Sequence, residues 1–254
     1  MTAVSVEVDE AVAVITLHRP ERANAMDGEL TDALLAGIRM LRDDDRVRCM
    51  VLTGAGDAFS AGGDIETIRE MRDDPQIREA VLRAHKALFW ELTRLPFPAI
   101  AAVNGPAVGA GVTIALLCDL VVIAEDAFLS DPRVALGLLD GAGGFVLWPL
   151  LTGLAAAREH LLLGDRVMAA EALRLGLANR VVRKQEVLAE SLCLARRLAK
   201  LPAPAVREAR RLLNFHVERA AAVVLDDSSR AEYQCFDTAE HHALVERLRS
   251  QVSS

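Results

Sequence analysis

Short apolar runs alternate with amphipathic stretches along most of the chain. Val4 to Val8 and Val12 to Leu17, separated by the polar pair Asp9-Glu10, predict two strands joined as a hairpin. The polar loop His18 to Met26 then leads to Asp27, a helix cap, after which Leu30, Leu34, Ile38 and Leu41 recur at helical spacing. That helix is expected to leave into solvent at Asp43-Asp44-Asp45. Cys49 to Thr53 is apolar and predicts a buried strand. It is followed by the Gly-rich segment Gly54 to Asp64 and a short helix from Ile65, which Asp64 is placed to cap. Asp74-Pro75 opens a longer helix with Ile77, Val81, Ala84, Leu88 and Leu92 on one face, and Pro96-Phe97-Pro98 ends it.

The segment Pro98 to Asp119, PAIAAVNGPAVGAGVTIALLCD, is the densest signal. It predicts a buried strand from Ala99 to Val103, a turn from Asn104 to Gly109, and an apolar helix from about Ala110 to Leu117. A helix N-terminus after such a turn presents N–H groups without intrahelical partners at the positive end of the helix dipole, a place that stabilises negative charge. The other reading is that the glycines only let the backbone turn tightly. A strand from Leu120 to Ala124 and an extended piece at Phe128-Leu129 follow. A third Gly-rich region, Ser130 to Gly144, carries Asp131, Arg133 and Asp140 among apolar neighbours. Helices are expected over Phe145 to Leu151, Leu154 to Leu163, Ala169 to Leu175, Glu186 to Lys200, Pro204 to Val224 and Ala239 to Ser250. One strand, Asn179 to Val182, interrupts them, and Asp237 or Thr238 can cap the last helix. Strands alternate with helices through the first two-thirds and the last quarter is helical, so the fold class is α/β.

Composition narrows the function classes. Lys and Arg number 29 and Asp and Glu 36, a formal charge of -7 without any basic block, which argues against nucleic acid or an anionic membrane as partner. No run has spanning length or the pattern of a secretory leader, and a cytoplasmic location is expected. Cys49, Cys118, Cys193 and Cys235 are scattered singly, without CxxC or histidines at ligand spacing. They predict reduced, mostly buried thiols and no metal site. Gly54-Ala55-Gly56 and Gly109-Ala110-Gly111 begin a dinucleotide fingerprint, but Phe59 and Ile114 stand where its third glycine belongs. Neither GxxxxGK[ST] nor GxSxG occurs, so P-loop and serine-hydrolase readings lack their central residues.

Five segments in order carry a resemblance. They are Arg19 to Ala25, Phe59-Ser60-Ala61-Gly62-Gly63-Asp64-Ile65, Pro98 to Asp119, Gly137 to Gly144, and Leu163-Gly164-Asp165-Arg166 through Ala178-Asn179. Together they resemble the enoyl-CoA hydratase/isomerase, or crotonase, superfamily over essentially the whole chain. The resemblance implies a spiral of ββα units over residues 1–195 and a C-terminal helical region, 196–254, that forms a trimer or a dimer of trimers. It implies an acyl-CoA substrate, with coenzyme A as the carrier part of that substrate and no separate cofactor. It also implies an oxyanion hole made by the N–H groups of Gly63 and Ala110. The positions matching the family's CoA-binding loops are Arg22, Ala23, Ala25, Ala61, Gly62, Asp64 and Ile65, with Arg19 or Arg22 meeting the phosphates.

The side chains depart from the family pattern. Where resembling hydratases carry two water-activating glutamates, this chain has Thr113 and Arg133, neither of which can act as a carboxylate base. Ordinary two-glutamate hydration is therefore not expected. Arg133 has two readings, as a binder of an anionic acyl group or as an internal partner of Asp131 or Asp140. Asp140 is the acid chosen for proton transfer or water positioning, against the alternative that it caps a helix near Ala142 or pairs with Arg133. None of the six histidines is expected to be catalytic, and Thr113 is expected to pack or hydrogen-bond within its helix. An enolate-forming acyl-CoA enzyme leads, which includes decarboxylation and carbon–carbon cleavage. A catalytically weakened acyl-CoA binder comes next and a nicotinamide oxidoreductase is distant.

Overall fold

The computed structural model describes residues 2–252. Strands β1 (Val4–Asp9) and β2 (Val12–Leu17) form the expected antiparallel hairpin, with Ile15 opposite Val6. Helix α1 (Gly28–Arg42) starts where Asp27 accepts the N–H of Leu30 at 2.8 Å, and Leu30, Leu34, Ile38 and Leu41 are all fully buried. Each such side chain contributes about 1.5–3 kcal/mol by leaving water. Strand β3 (Cys49–Gly54) is buried throughout, then α2 (Ile65–Asp73) is capped by Asp64 through the N–H groups of Glu66 and Thr67. Helix α3 (Pro75–Thr93) has Asp74 as cap and Pro75 at its first position.

The chain continues with β4 (Ala99–Val103), β5 (Ala107–Val108), α4 (Ala110–Leu116), β6 (Leu120–Ala124) and β7 (Phe128–Ser130). Next come α5 (Gly144–Thr152), α6 (Leu154–Leu163), β8 (Val167–Met168), α7 (Ala169–Leu175), β9 (Arg180–Val182) and α8 (Val187–Ala199). The last two helices are α9 (Ala203–Cys235) and α10 (Ala239–Val252). The six-stranded sheet has the order β1-β2-β3-β4-β6-β9, parallel apart from the first hairpin, and β5-β7-β8 form a second, smaller sheet. β4 and β6 are each followed by a strand of the second sheet and then by a helix. After β3, Ser60 makes an isolated bridge to Ala107. This is the ββα spiral expected from the sequence, and no described helix is long and apolar enough to cross a membrane.

Two expected boundaries fall inside helices. Helix α9 runs 33 residues and does not stop at Val224. Asp226, Asp227 and Arg230 of its polar run are exposed, while Ala221, Leu225 and Glu232 remain buried at helical intervals. The boundary expected between residues 195 and 196 falls inside α8, which packs on β3, β4 and β6. Leu225 is 1% exposed and Val217 packs against the chain's own core, leaving Leu212 exposed beside Leu213, Phe215 and Val223. Cys49 and Cys118 are buried thiols, and burial pushes Cys49 up to about 12. Cys235 is half-buried and Cys193 exposed.

Two buried arginines tie α9 to the rest of the chain. Arg210 of α9 reaches Asp119 at 2.8 Å and the carbonyls of Leu92, Thr93 and Leu95. Arg78 of α3, 1% exposed, donates to the carbonyls of Met71, Arg72 and Tyr233 and to Asp237 at 2.9 Å.

Candidate active site

Two Gly-rich loops meet because their backbones pair. Val108 donates to the Ser60 carbonyl at 2.9 Å, and Gly111 leaves room for Ser60, whose carbonyl would lie 2.7 Å from an added Cβ. Asn24, fully buried, ties the N-terminal loop to the same region by donating to the carbonyls of Ala55 and Ala58 at 2.9 Å. Gly62 has φ +84, and a Cβ there would lie 2.5 Å from the Val108 carbonyl oxygen and 3.4 Å from the Ala110 nitrogen. Only glycine fits that approach. The result is that Gly63 and Ala110 line one cleft, which holds about 650 Å3 of atom-free space including its open mouth. Among the described residues neither amide donates to a protein acceptor. Ala110 is the first residue of α4, so its N–H is one of the four that a helix leaves unpaired.

The inner wall is ionic. Arg133, on the loop after β7, donates from Nε and Nη2 to both oxygens of Asp131 at 2.7 Å and reaches Asp140 at 2.6 Å and the Thr113 hydroxyl at 3.3 Å. Burial works against the Arg133 charge, but Asp131 and Asp140 outweigh it and hold the guanidinium protonated. Asp140 also accepts from the N–H of Ala142 at 2.6 Å, the N–H of Gly144 at 2.7 Å and the hydroxyl of Thr113 at 2.9 Å. Burial pushes the Asp140 carboxyl above its ordinary value and Arg133 opposes the push. Asp140 caps α5 and pairs with Arg133 at once, and neither it nor Thr113 lines the main cleft. Of the two readings of Arg133, the geometry shows the internal pairing.

The predicted carrier-binding positions divide. Ala61 and Asp64 line the cleft. Ile65 is 40% exposed, and Arg22 is exposed with its guanidinium 3.3 Å from Asp64. Arg19 is locked against Asp27 and Glu29. Ala23, Ala25 and Gly62 shape the loop: the Ala23 carbonyl accepts from Ala61, the Gly62 carbonyl accepts from Met26, and Ala25 is buried.

The sequence reading missed two cleft residues. His85 of α3 lines the cleft with an Nε2 that has no hydrogen-bond partner, and burial drives it down to about 4. Its only local signal is its place one residue beyond Ala84 on the apolar face. Glu232 of α9, 6% exposed, also lines the cleft, and one of its oxygens accepts the Gly141 N–H at 2.9 Å. It stands 91 residues from that partner, and nothing in its neighbourhood marks it.

A family model described as enoyl-CoA hydratase/isomerase matches residues 7–251. Among solved structures, an enoyl-CoA hydratase/isomerase from Mycobacterium paratuberculosis superposes with a TM-score of 0.93 at 40% identity, covering 97% of this chain and 98% of that one. A monofunctional enoyl-CoA isomerase from Mycobacterium smegmatis has a TM-score of 0.73 at 32% identity, covering 86% and 95%. A short-chain-enoyl-CoA hydratase of Clostridium acetobutylicum is 32% identical, over 93% of this chain and 90% of its own length.

Proposed function

The chain belongs to the enoyl-CoA hydratase/isomerase family, and we propose that it is an acyl-CoA enzyme that works through an enolate held by the N–H groups of Gly63 and Ala110. The observation that carries this reading is the pair of main-chain donors, brought from two loops to one cleft and left without protein acceptors. A thioester oxygen bound between them gains negative charge as a proton leaves the neighbouring carbon, and each aimed donor is worth about 3 kcal/mol in that transition state. The donors are fixed by the β5 pairing and by the start of α4, so little reorganisation accompanies the charge. Arg133 is occupied by two carboxylates, which favours an uncharged acyl group over an anionic one. We also propose that hydration by two water-activating carboxylates is not its main reaction, since Thr113 and Arg133 stand at those positions.

The test is infrared difference spectroscopy of a bound enoyl-CoA. The thioester C=O stretch is expected to shift to lower wavenumber on binding. In Ala110→Pro, which places proline where a helix accepts it but removes the N–H, the shift is expected to shrink while coenzyme A still binds. A bound thioester with an unshifted carbonyl in the unmodified protein refutes the assignment.

A further inference from the structure

Four carboxyl groups lie at or beside the cleft, and three are committed to the fold. Asp131 gives both oxygens to Arg133. Asp140 is bonded by Arg133, Thr113 and two backbone N–H groups. Asp64 caps α2 through Oδ1 and meets Arg22 through Oδ2. Glu232 differs from all of them. Among the described residues it enters no ion pair, its Oε2 accepts the Gly141 N–H, and its Oε1 takes no hydrogen bond from the protein. It nevertheless lines the same cleft as Gly63 and Ala110.

We propose that Glu232 is the catalytic acid–base group of this site, taking the proton from the carbon next to the thioester carbonyl of a 3-enoyl-CoA and returning it along the conjugated enolate. This rests on the preceding reading of the cleft. In the forward step the C2–H bond breaks, an O–H bond forms on Glu232, and the electron pair passes into the enolate whose oxygen is held by the two amides. In the return step the O–H bond breaks and a C–H bond forms at C2 or C4, which regenerates the carboxylate. The double bond has moved when the proton lands on C4, and no other reactant enters. One carboxyl suffices for this shuttle, whereas addition of water needs a group to activate the water as well.

The electrostatics are those of a group that exchanges protons near neutrality. Burial pushes the Glu232 carboxyl up to about 8. Arg133 opposes that push and the charges of Asp140 and Asp131 add to it. The remaining titratable groups that line the cleft are His85 from α3 and Asp64 at the start of α2. His85, held near 4, is neutral across the working range and does not titrate with Glu232. Hydrogen bonding by the Gly141 N–H fixes the carboxyl's position in either protonation state.

The experiment follows exchange of the C2 protons of 3-hexenoyl-CoA in deuterated buffer by mass spectrometry, with coenzyme A binding measured separately by calorimetry. Because the base form of a group with a pKa of about 8 rises from about one part in a hundred at pH 6 to one half at pH 8, exchange in the unmodified protein is expected to increase about 50-fold over that interval and then level. Glu232→Gln keeps an acceptor for Gly141 and is expected to lose exchange by about 100-fold or more with coenzyme A binding retained. Glu232→Asp is expected to restore part of the rate with the same shape of pH profile. Exchange at an unmodified rate in Glu232→Gln overturns the proposal, as does a profile governed by a group near 4, which would assign the step to His85. Binding with neither exchange nor formation of the conjugated 2-enoyl thioester in the unmodified protein also overturns it, while failure to bind acyl-CoA at all refutes the underlying reading of the cleft instead.

Discussion

Replacing Arg133 by methionine removes the cation from the most densely charged part of the interior while keeping much of the side chain's length. Asp131, 3% exposed, and Asp140, 2% exposed, then lose their common partner. Breaking a buried ion pair from one side costs about 3–5 kcal/mol. For a chain of this length each kcal/mol moves the melting temperature by about 2 °C or more. A drop of at least about 6 °C is therefore expected near pH 8. The deficit also has a sign in pH. Burial already raises Asp140, and removal of Arg133 takes away the opposing attraction, so the folded variant holds a proton there to higher pH than the unfolded chain does. Stability from such a group is fully present below the unfolded value of about 4 and falls as pH rises toward the raised folded value. In the unmodified protein Arg133 opposes that rise, so the same group changes stability less over the same interval. The gap between the two proteins is therefore expected to narrow at low pH. Melting followed by circular dichroism at fixed protein concentration, at pH 5 and pH 8, measures it. A gap under 2 °C at pH 8, or one no smaller at pH 5, refutes the assignment of Arg133 as an internal counter-ion.

Arg22 is the arginine of the N-terminal loop that remains available to a polyanion, because Arg19 is held by Asp27 and Glu29. Arg22→Ala is expected to weaken coenzyme A binding about two- to fivefold, as for an exposed charge, and to flatten its salt dependence. Equal affinity and equal salt slope in a calorimetric titration would remove Arg22 from the phosphate site. The exposed apolar side chains Leu212, Leu213, Phe215 and Val223 of α9 are expected to be covered in a trimer or a dimer of trimers. Sedimentation at micromolar concentration should then report at least three times the 27.5 kDa chain mass, and a monomer would refute that packing.

What the sequence by itself determined is local. Asp27, Asp64 and Asp74 begin helices because a short acceptor side chain next to unpaired N–H groups needs no distant partner. The uniformly apolar runs at 49–53, 99–103 and 120–124 became the sheet's inner strands because such segments can only be buried on both faces. The glycines at 62 and 109 are legible for the same reason, since the backbone turn they permit is a property of the residue. From these and the resemblance, both the spiral and the pairing of Gly63 with Ala110 in one cleft were readable.

Only the tertiary structure decided which polar side chains face which. Periodicity shows that a helix has an inner side but not what that side meets. So Asp140 could be named as an acid, with a helix cap or pairing to Arg133 as the alternative, while its simultaneous engagement by Arg133, Thr113, Ala142 and Gly144 could not be. Arg78, Arg210 and Glu232 are buried against expectation for their types, each bonded to a group from an element far away in sequence. A charged residue in a helix reads as solvent-facing until its distant partner is known. Glu232 reaches the cleft because α9 continues past its polar run, an outcome set by packing between groups 91 residues apart in the chain.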